Sequence, residues 1–449
     1  MQQVNGYHDA GMMASTKTTA QTGTLHHHAY EQYDAFMNLT QEINYQTGLE
    51  KSYGYDDLHR LTDYDFASQA FLGRAGFNGS VDYAYDAVGN LLKKSDYSQN
   101  HQNAYRYGNQ CNSSKPNAVC QIDKLNGATV SFGYDQRGNL TSGDGLTMTY
   151  STLDKPLSVI GRGASSHFVY GSDNMRALQT RTVSNKTVNT HYVDKFYEAD
   201  NDGSWRAFIG DIAVLSYTPE RKHQLLYTLR DRLGSATTLV NQHAQIVSRR
   251  YFDPFGRTTN VGADHHIDML NGNVALSKLI DLSDTNQYRR GFTDHEHLNE
   301  QQLIHMNGRV YDYNLGRFMS VDPLIQSPTS TQSVNPYSYI MNNPLAGTDP
   351  TGYCSTGTRI KGRSAADCRL AYDSGDLLKQ AKSKGGDVSV KSNGNTSVQP
   401  SKNVDFEIDK IGSTETISQD DGTRLGGEGG GNNNQARTSH KEKGFYGEL

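Results

Sequence analysis

Two histidines and two carboxylates stand side by side in the sequence as Asp294-His295-Glu296-His297, and side chains of these types bind metal ions. On a β-strand, residues two apart face the same side, so His295 and His297 would share one face. Two histidines without a third ligand are a weak signal for a metal site. We expect no metal or other cofactor, since the sequence also lacks GxSxG, HExxH and Gly-rich phosphate-binding motifs.

The four cysteines form two pairs that are close in sequence, Cys111 with Cys120 and Cys354 with Cys368. Neither pair has the CxxC spacing typical of a zinc site. Two local disulfides would be compatible with an exported chain, because disulfides persist in oxidising compartments. The sequence alone leaves the redox state of both pairs open.

The composition favours thin β-structure. Only 35% of the 449 residues are hydrophobic, yet the chain contains 28 Tyr against 14 Phe. A tyrosine can pack one ring face while its hydroxyl stays in water, which suits a sheet without a thick apolar core. The net charge of −5 gives no basic surface for nucleic acid.

Targeting signals are absent from the sequence. It contains no apolar run long enough to span a bilayer, and its first residues lack the basic and apolar regions of a signal peptide. A cytoplasmic protein is one interpretation. We favour the other, in which the chain is part of a longer exported polypeptide whose signal lies elsewhere.

A short element recurs along the first half of the chain: Tyr-Asp, then turn-forming residues, then an apolar residue. The clearest copies begin at Tyr33-Asp34, Tyr55-Asp56, Tyr85-Asp86 and Tyr134-Asp135. Each reads as a strand that ends in a tight turn, where the Asp carboxylate can accept backbone N–H bonds. Such hairpins are marginal alone but stable when stacked along a continuous sheet. An all-β fold follows, and a β-sandwich or propeller is the alternative arrangement.

A second pattern occupies residues 288–352. In order, it contains GF, HLN, NGRVYD, GRF, DP, NPYSY, NNP and DPTG. This stretch resembles the RHS repeat-associated core domain, the closing module of RHS/YD-repeat proteins, and the Tyr-Asp elements resemble the YD repeats of that family. The resemblance covers about residues 30–353. It implies hairpins stacked into a curved or spiral sheet that forms part of a hollow shell.

These patterns predict four regions. Residues 1–29 are expected to be a ragged segment with a solvated His26–His28 run, 30–260 the repeat sheet, 261–353 the core domain, and 354–449 a variable, low-complexity and mostly disordered tail. Short helices are expected near 274–280 and 365–382. The tail is where a toxin would lie, as a truncated or remnant module, but His440, Lys441 and Glu442 form no recognisable catalytic arrangement.

The resemblance also implies an intramolecular aspartyl protease that uses Asp322 and Asp349 and cuts just after the core, beside Gly352 and Tyr353. Such chemistry needs two carboxylates close enough to share a proton. The chain departs from the family pattern, since Tyr353 replaces Leu and the usual x-Gly is absent after Pro323. On the residues alone, the alternative is that the two aspartates only form turns, because Asp-Pro favours turns.

Three further polar residues of the core, Arg309, Asp312 and Arg317, could support that site. A buried arginine could position a protease carboxylate. Alternatively, the three residues form a structural ion pair that fixes the strand ends of the core.

The resemblance implies the C-terminal part of a secreted or cell-surface polymorphic toxin, whose shell and core encapsulate and deliver a C-terminal cargo in competition between cells. The expected partners are the rest of a longer RHS polypeptide and an immunity protein. As an isolated chain it would carry no turnover activity. The alternative is a cell-surface protein that binds carbohydrate or mediates adhesion.

Overall fold

The computed structural model describes residues 1–68, 77–172, 174–261, 288–327 and 330–357, and the backbone of two strands at 387–390 and 396–399. The described residues form β-strands and four 3-10 turns without any α-helix, which confirms the all-β prediction. None of these turns is long and apolar enough to cross a membrane. The helices predicted near 274–280 and 365–382, and the tail apart from the two strands, lie outside the described residues.

The first sheet is an eight-stranded antiparallel meander in which each strand pairs with the next one along the chain. Its strands are β1 (Gln2–Tyr7), β2 (Met13–Ala20), β3 (Gly23–Tyr33), β4 (Leu39–Asn44), β5 (Leu49–Tyr55), β6 (Leu61–Ser68), β7 (Phe77–Tyr85) and β8 (Leu91–Lys94).

A three-stranded sheet follows, formed by β9 (Tyr105–Tyr107), β10 (Val119–Asp123) and β11 (Thr129–Ser131). A 3-10 turn, Gly108–Cys111, leads from β9 to a disulfide between Cys111 and Cys120, whose Cα atoms are 6.4 Å apart. The second cysteine pair stays a prediction, because Cys368 lies outside the described residues.

The third sheet has fourteen antiparallel strands, again in chain order. They are β12 (Gly133–Tyr134), β13 (Leu140–Gly143), β14 (Leu146–Tyr150), β15 (Pro156–Gly161), β16 (Ala164–Tyr170), β17 (Arg176–Val183), β18 (Lys186–Val193), β19 (Tyr197–Asp200), β20 (Trp205–Ile209), β21 (Ala213–Thr218), β22 (Lys222–Arg230), β23 (Ala236–Asn241), β24 (Ile246–Phe252) and β25 (Thr258–Val261).

The described residues between 288 and 357 form a small unit with sheets of its own, which we call the plug. Its strands are β26 (Glu296–Leu298), β27 (Leu303–Met306), β28 (Arg309–Asp312), β29 (Arg317–Phe318), β30 (Gly347–Thr348) and β31 (Thr356–Gly357), and its 3-10 turns are Phe292–Asp294, Asn299–Gln301 and Ile340–Asn342. The remaining strands, β32 (Asp387–Val390) and β33 (Thr396–Gln399), pair with each other.

One five-residue turn recurs between the strands. In the copy at Asp86, the carboxylate accepts hydrogen bonds from the backbone N–H groups of Val88 and Asn90 at 3.0 and 2.8 Å. The fourth residue, Gly89, has a φ of 79°, a left-handed conformation that glycine adopts without steric cost. The carboxylate makes the same pair of bonds at Asp34, Asp56, Asp135 and Asp231. The hydrogen bonds expected at the Tyr-Asp turns are therefore present.

The tyrosine of the repeat ties neighbouring turns together. At four positions, the tyrosine hydroxyl donates to the backbone carbonyl of the first residue of an earlier strand, directly after that strand's turn. The bonds run from Tyr33 to Met13, Tyr55 to Leu39, Tyr107 to Leu91, and Tyr170 to Pro156, at 2.7–2.9 Å. These four tyrosines therefore fix the register of one turn against another through a buried or half-buried polar contact, whereas the buried Tyr85 hydroxyl makes no such bond.

The plug binds the inner side of these turns through backbone carbonyls. Side-chain amides of Asn343 and Asn342 donate to the carbonyls of His59 and Gly89 at 2.8 and 2.9 Å. The Tyr337 hydroxyl donates to the Gly138 carbonyl at 2.7 Å. All three acceptors are the fourth residue of a Tyr-Asp turn, so the plug recognises the same position of three repeats. Around these bonds, tyrosine, leucine and phenylalanine side chains of both the sheets and the plug form one continuous core.

The structure differs from the sequence expectation at the N-terminus. The first thirty residues are not ragged, because β1, β2 and most of β3 continue the first sheet. Two of the three histidines in the run are buried, His26 at 2% and His28 at 6% exposure, and only His27 is partly open. The sequence of β3 does not alternate polar and apolar residues, and consecutive central residues are buried, so the strand carries no clear period-two signal.

Removing a repeat carboxylate should destabilise the shell. In Asp56→Ala, the backbone N–H groups of Leu58 and Arg60 lose their acceptor, which predicts a loss of about 1–3 kcal/mol in the free energy of unfolding, measured by urea denaturation. Asp57→Ala is the matched control, because the adjacent Asp57 is exposed and should change stability by less than about 0.5 kcal/mol. Equal losses in both variants would contradict the role of the turn.

Acid should begin to destabilise the fold at pH values higher than those at which carboxylates titrate. Burial lowers the pKa of His26 to about 3 and of His28 to about 4. In the unfolded chain the histidine pKa returns to about 6.5, so the unfolded chain binds more protons than the folded chain below that pH. The free energy of unfolding is therefore highest above pH 6.5 and falls as the pH drops toward 4. The loss is up to about 1.4 kcal/mol per pH unit for each histidine. Urea midpoints should therefore drop between pH 7 and pH 5. The drop should be smaller in His28→Gln and unchanged in His243→Gln, where the histidine is exposed.

Candidate functional site

A two-residue turn between β27 and β28 holds the end of the plug. Asn307, with a φ of 59°, and Gly308 form this turn, as an Asn-Gly pair favours. The Asn307 amide donates to the Pro350 carbonyl at 2.9 Å, and the Gly308 N–H donates to the Thr351 carbonyl at 2.9 Å. The Asn307-Gly308 turn thus contacts residues 350 and 351, which lie in a second turn where the Gly352 N–H donates to the Asp349 carbonyl at 3.3 Å.

Arg309, the next residue along β28, is the centre of the site. It is 1% exposed, and its Nη2 atom lies 2.9 Å from Asp322 Oδ2 and 3.2 Å from Asp349 Oδ2. Its Nε donates a short hydrogen bond to the Gly352 carbonyl, and its guanidinium carbon lies 3.5 Å from the centre of the Phe318 ring. One guanidinium therefore brings together the two aspartates that the sequence analysis singled out.

The aspartates make further, different contacts. Asp322 accepts a hydrogen bond from the Leu324 N–H at 2.9 Å, as a turn residue does. Asp349 is 1% exposed, and its Oδ1 accepts a hydrogen bond from the backbone N–H of Cys354 at 2.8 Å. A buried carboxylate is thus in direct contact with a peptide nitrogen of the segment that follows the core.

The same peptide bond is held from its other side. The Gln326 Nε2 donates to the Tyr353 carbonyl at 3.1 Å, while Asp349 accepts from the Cys354 N–H. Just before this bond, Gly352 has a φ of 74°, and a Cβ there would collide with the Met306 carbonyl. The segment can therefore pass through the site only with glycine at position 352.

This arrangement has the parts that peptide hydrolysis requires. Two carboxylates on a common arginine can act as base and acid, provided that they share one proton. An amide donor at the carbonyl oxygen would stabilise the charge that develops there. A carboxylate within hydrogen-bond distance of the amide nitrogen could protonate the leaving group.

The three supporting residues separate in space. Arg309 lies in the site, but Arg317 donates to the Gly89 carbonyl at 2.9 Å and to Asn335 at 3.2 Å, which anchors the plug to the shell. Asp312 accepts the backbone N–H of Asn314 at 2.8 Å and lies 3.5 Å from Arg162. Burial raises the pKa of Asp312. Both of these residues have structural contacts.

The histidines of the plug are buried and engaged in local hydrogen bonds. His295 Nδ1 lies 2.9 Å from the Thr293 hydroxyl, and His297 Nε2 accepts the Phe292 N–H at 3.0 Å. Burial lowers the pKa of His297 to about 3, which keeps its ring neutral at physiological pH. Within the described ranges, no three histidine, cysteine or acidic side chains converge as a metal site would require.

Sequence reasoning missed several residues of the site. Asn307 and Gly308 carry the signal of a tight turn, which predicts a hairpin but not what it binds. Gln326 and Lys155, a shell residue that lies over the Tyr353 ring, carry no signal in the sequence. Their roles arise only when distant segments meet.

Repeated Tyr-Asp hairpins, stacked in chain order around a buried plug, define a YD-repeat shell protein. The sequence profile of the Teneurin YD-shell family matches residues 3–345. The chain belongs to this family, and its resemblance to RHS/YD-repeat proteins is confirmed.

Two curated relatives are bacterial nucleases. The tRNA nuclease WapA of Bacillus subtilis (strain 168) is 27% identical over 283 residues, which cover 61% of this chain and 11% of that protein. The tRNA(Glu)-specific nuclease WapA of Bacillus subtilis subsp. natto (strain BEST195) is 26% identical over 268 residues, 58% of this chain and 10% of that protein. The matched part of each relative is therefore a small fraction of its length.

Solved structures show the same fold. The crystal structure of TcdB2-TccC3 has a TM-score of 0.57 and 17% identity over 78% of this chain and 18% of that chain. The Photorhabdus luminescens Tc holotoxin pore with a mutated TccC3 has a TM-score of 0.57 and 17% identity over 81% of this chain and 18% of that chain. These likenesses show that the chain shares its fold with those structures.

Replacing Arg309 should destabilise the plug. In Arg309→Met, the buried Asp349 loses its charged partner, and breaking a buried ion pair costs about 3–5 kcal/mol. Arg137→Met is the control, because the side chain of Arg137 is 46% exposed and a surface pair contributes at most about 1 kcal/mol. Urea denaturation of both variants measures the difference. A similar small loss in both would show that the Arg309 cluster does not stabilise the plug.

Proposed function

We propose that this chain is the C-terminal part of a secreted RHS toxin protein, and that its plug cuts the chain beside Gly352 to free the segment that follows. Membership of the YD-shell family supports the shell. The observation that carries the cleavage is the contact of Asp349 and Asp322 with one buried arginine beside the peptide bonds at residues 352–354.

The contacts favour one bond over its neighbour. The sequence expectation put the cut beside Gly352 and Tyr353 without choosing a bond. However, Asp349 accepts the N–H of Cys354, and Gln326 donates to the carbonyl of Tyr353. Both groups belong to the Tyr353–Cys354 bond, whereas the Tyr353 N–H bonds to the Thr351 hydroxyl at 3.3 Å. We therefore assign the cut to the Tyr353–Cys354 bond.

The proposed hydrolysis proceeds as follows. Asp322 removes a proton from a water molecule as its oxygen bonds to the carbonyl carbon of Tyr353. Gln326 stabilises the negative charge that forms on the carbonyl oxygen. As the C–N bond breaks, the protonated carboxyl of Asp349 gives its proton to the nitrogen of Cys354. The products are a carboxylic acid at Tyr353, which loses its proton to solvent, and a free amine at Cys354; the proton on Asp322 then returns to Asp349.

The biological setting of this proposal follows from the resemblance. The freed residues 354–449 would be the cargo, enclosed by the shell, delivered to another cell and neutralised in the producer by an immunity protein. The rest of a longer polypeptide would complete the enclosure, because the chain spans only about a tenth of the curated relatives.

Intact-mass spectrometry of the freshly purified full-length chain tests the cleavage. We expect two species that together equal the chain plus one water, with one fragment ending at Tyr353. Asp322→Asn and Asp349→Asn should each reduce the cut at least about a hundredfold, because general acid–base catalysis contributes that much or more.

The control is Asp57→Asn, which replaces an exposed aspartate of a distant turn and should cut like the unmodified chain. Thermal unfolding of the two site variants checks that they fold. A single uncut species in the unmodified chain, or an unchanged cut in Asp322→Asn, would overturn the proposal and leave both aspartates as turn formers.

A further inference from the structure

The site holds the backbone on both sides of Gly352 without regard to side chains. Four successive carbonyls are occupied: Pro350 by Asn307, Thr351 by Gly308, Gly352 by Arg309 and Tyr353 by Gln326. Backbone contacts of this kind fix register but do not distinguish sequences. Selectivity must therefore come from a side chain that is enclosed.

Tyr353 and Cys354, the two residues of the cut bond, both have enclosed side chains, and Tyr353 is the one that precedes the cut. Pro350 and Thr351 are only half-buried and Gly352 carries no side chain, whereas Tyr353 is 2% exposed. Its hydroxyl donates to the Gly308 carbonyl at 3.0 Å, and its ring lies 4.9 Å from Lys155 Nζ.

Lys155 comes from the shell and not from the plug. It ends the turn between β14 and β15, where its backbone N–H donates to the Ser151 hydroxyl at 3.1 Å, and it is 1% exposed. Its ammonium group also lies 6.0 Å from the Tyr170 ring. A buried ammonium between two aromatic faces gains attraction from the ring quadrupoles.

We propose that Gly308 and Lys155 form a pocket that selects tyrosine at position 353, immediately before the cut bond. The proposal rests on the proposed self-cleavage and adds its sequence preference. A leucine, which the resembled family carries at this position, could neither donate a hydrogen bond to the Gly308 carbonyl nor present a ring to Lys155. The pocket also requires the shell turn to be in place, so the cut would follow closure of the plug against the shell.

The test is the rate of self-cleavage of the full chain, followed by pulse-labelled translation and gel electrophoresis. Tyr353→Phe removes only the hydroxyl and should slow the cut about fivefold, as expected for one lost hydrogen bond. Tyr353→Leu also removes the ring and should slow it at least about tenfold. Tyr45→Phe, at an exposed tyrosine, is the control.

A rescue experiment separates selection from simple misfolding. Lys155→Met makes the pocket apolar, so Tyr353→Leu combined with Lys155→Met should cut at least about threefold faster than Tyr353→Leu alone. If Tyr353→Leu cuts at the same rate as the unmodified chain, this inference is overturned while the proposed function stands. If Tyr353→Leu unfolds, an unchanged rate in Tyr353→Phe would overturn it instead. No cut in the unmodified chain would overturn the proposed function itself, and this inference with it.

Discussion

The carboxylate of the repeat aspartate, which accepts two backbone N–H groups within its own turn, is the interaction on which the architecture depends. It fixes a five-residue turn whose fourth residue is left-handed, as at Gly89 and Gly138. Because the turns share one shape, the carbonyl of the fourth residue is presented in the same way at each of the three turns that the plug contacts. The plug then uses that repeated acceptor at three positions with Asn343, Asn342 and Tyr337. A local hydrogen bond therefore creates the docking surface for a segment that lies 199 to 284 residues away in sequence.

This construction explains how a chain with so few apolar residues can bury a core. Large charged side chains are fully buried in both parts of the chain, Arg309 and Arg317 in the plug and Lys94 and Lys155 in the shell. Each is compensated by carbonyls, carboxylates or aromatic rings, as in the pairing of Lys94 with Asp96 at 2.7 Å. Buried charges are stable only when they are paired in this way. The interface is consequently specific, since a shift of one residue would leave several charges without partners.

The candidate site lies at that interface, which couples its geometry to assembly of the shell. Arg309 and Gln326 belong to the plug, but Lys155 is supplied by the third sheet. Gly352 lies where only a glycine fits, so residues 350–353 can bind in the site in only one register. The chemistry that we propose thus requires two parts of the chain that are distant in sequence and fold into one cluster.

The sequence by itself determined the local structure: the Tyr-Asp turns, the strands between them and the two aspartates that a site would need. These features depend on contacts within about five residues, which spacing and residue type record directly. It misjudged the first thirty residues, because the burial of His26 and His28 depends on how β3 packs against other strands, and no local pattern records that packing. Only the tertiary structure decided that Arg309 joins Asp322 to Asp349 while Arg317 and Asp312 lie elsewhere, and that Lys155 reaches Tyr353. Those outcomes depend on which distant segments meet, and no local pattern encodes that meeting.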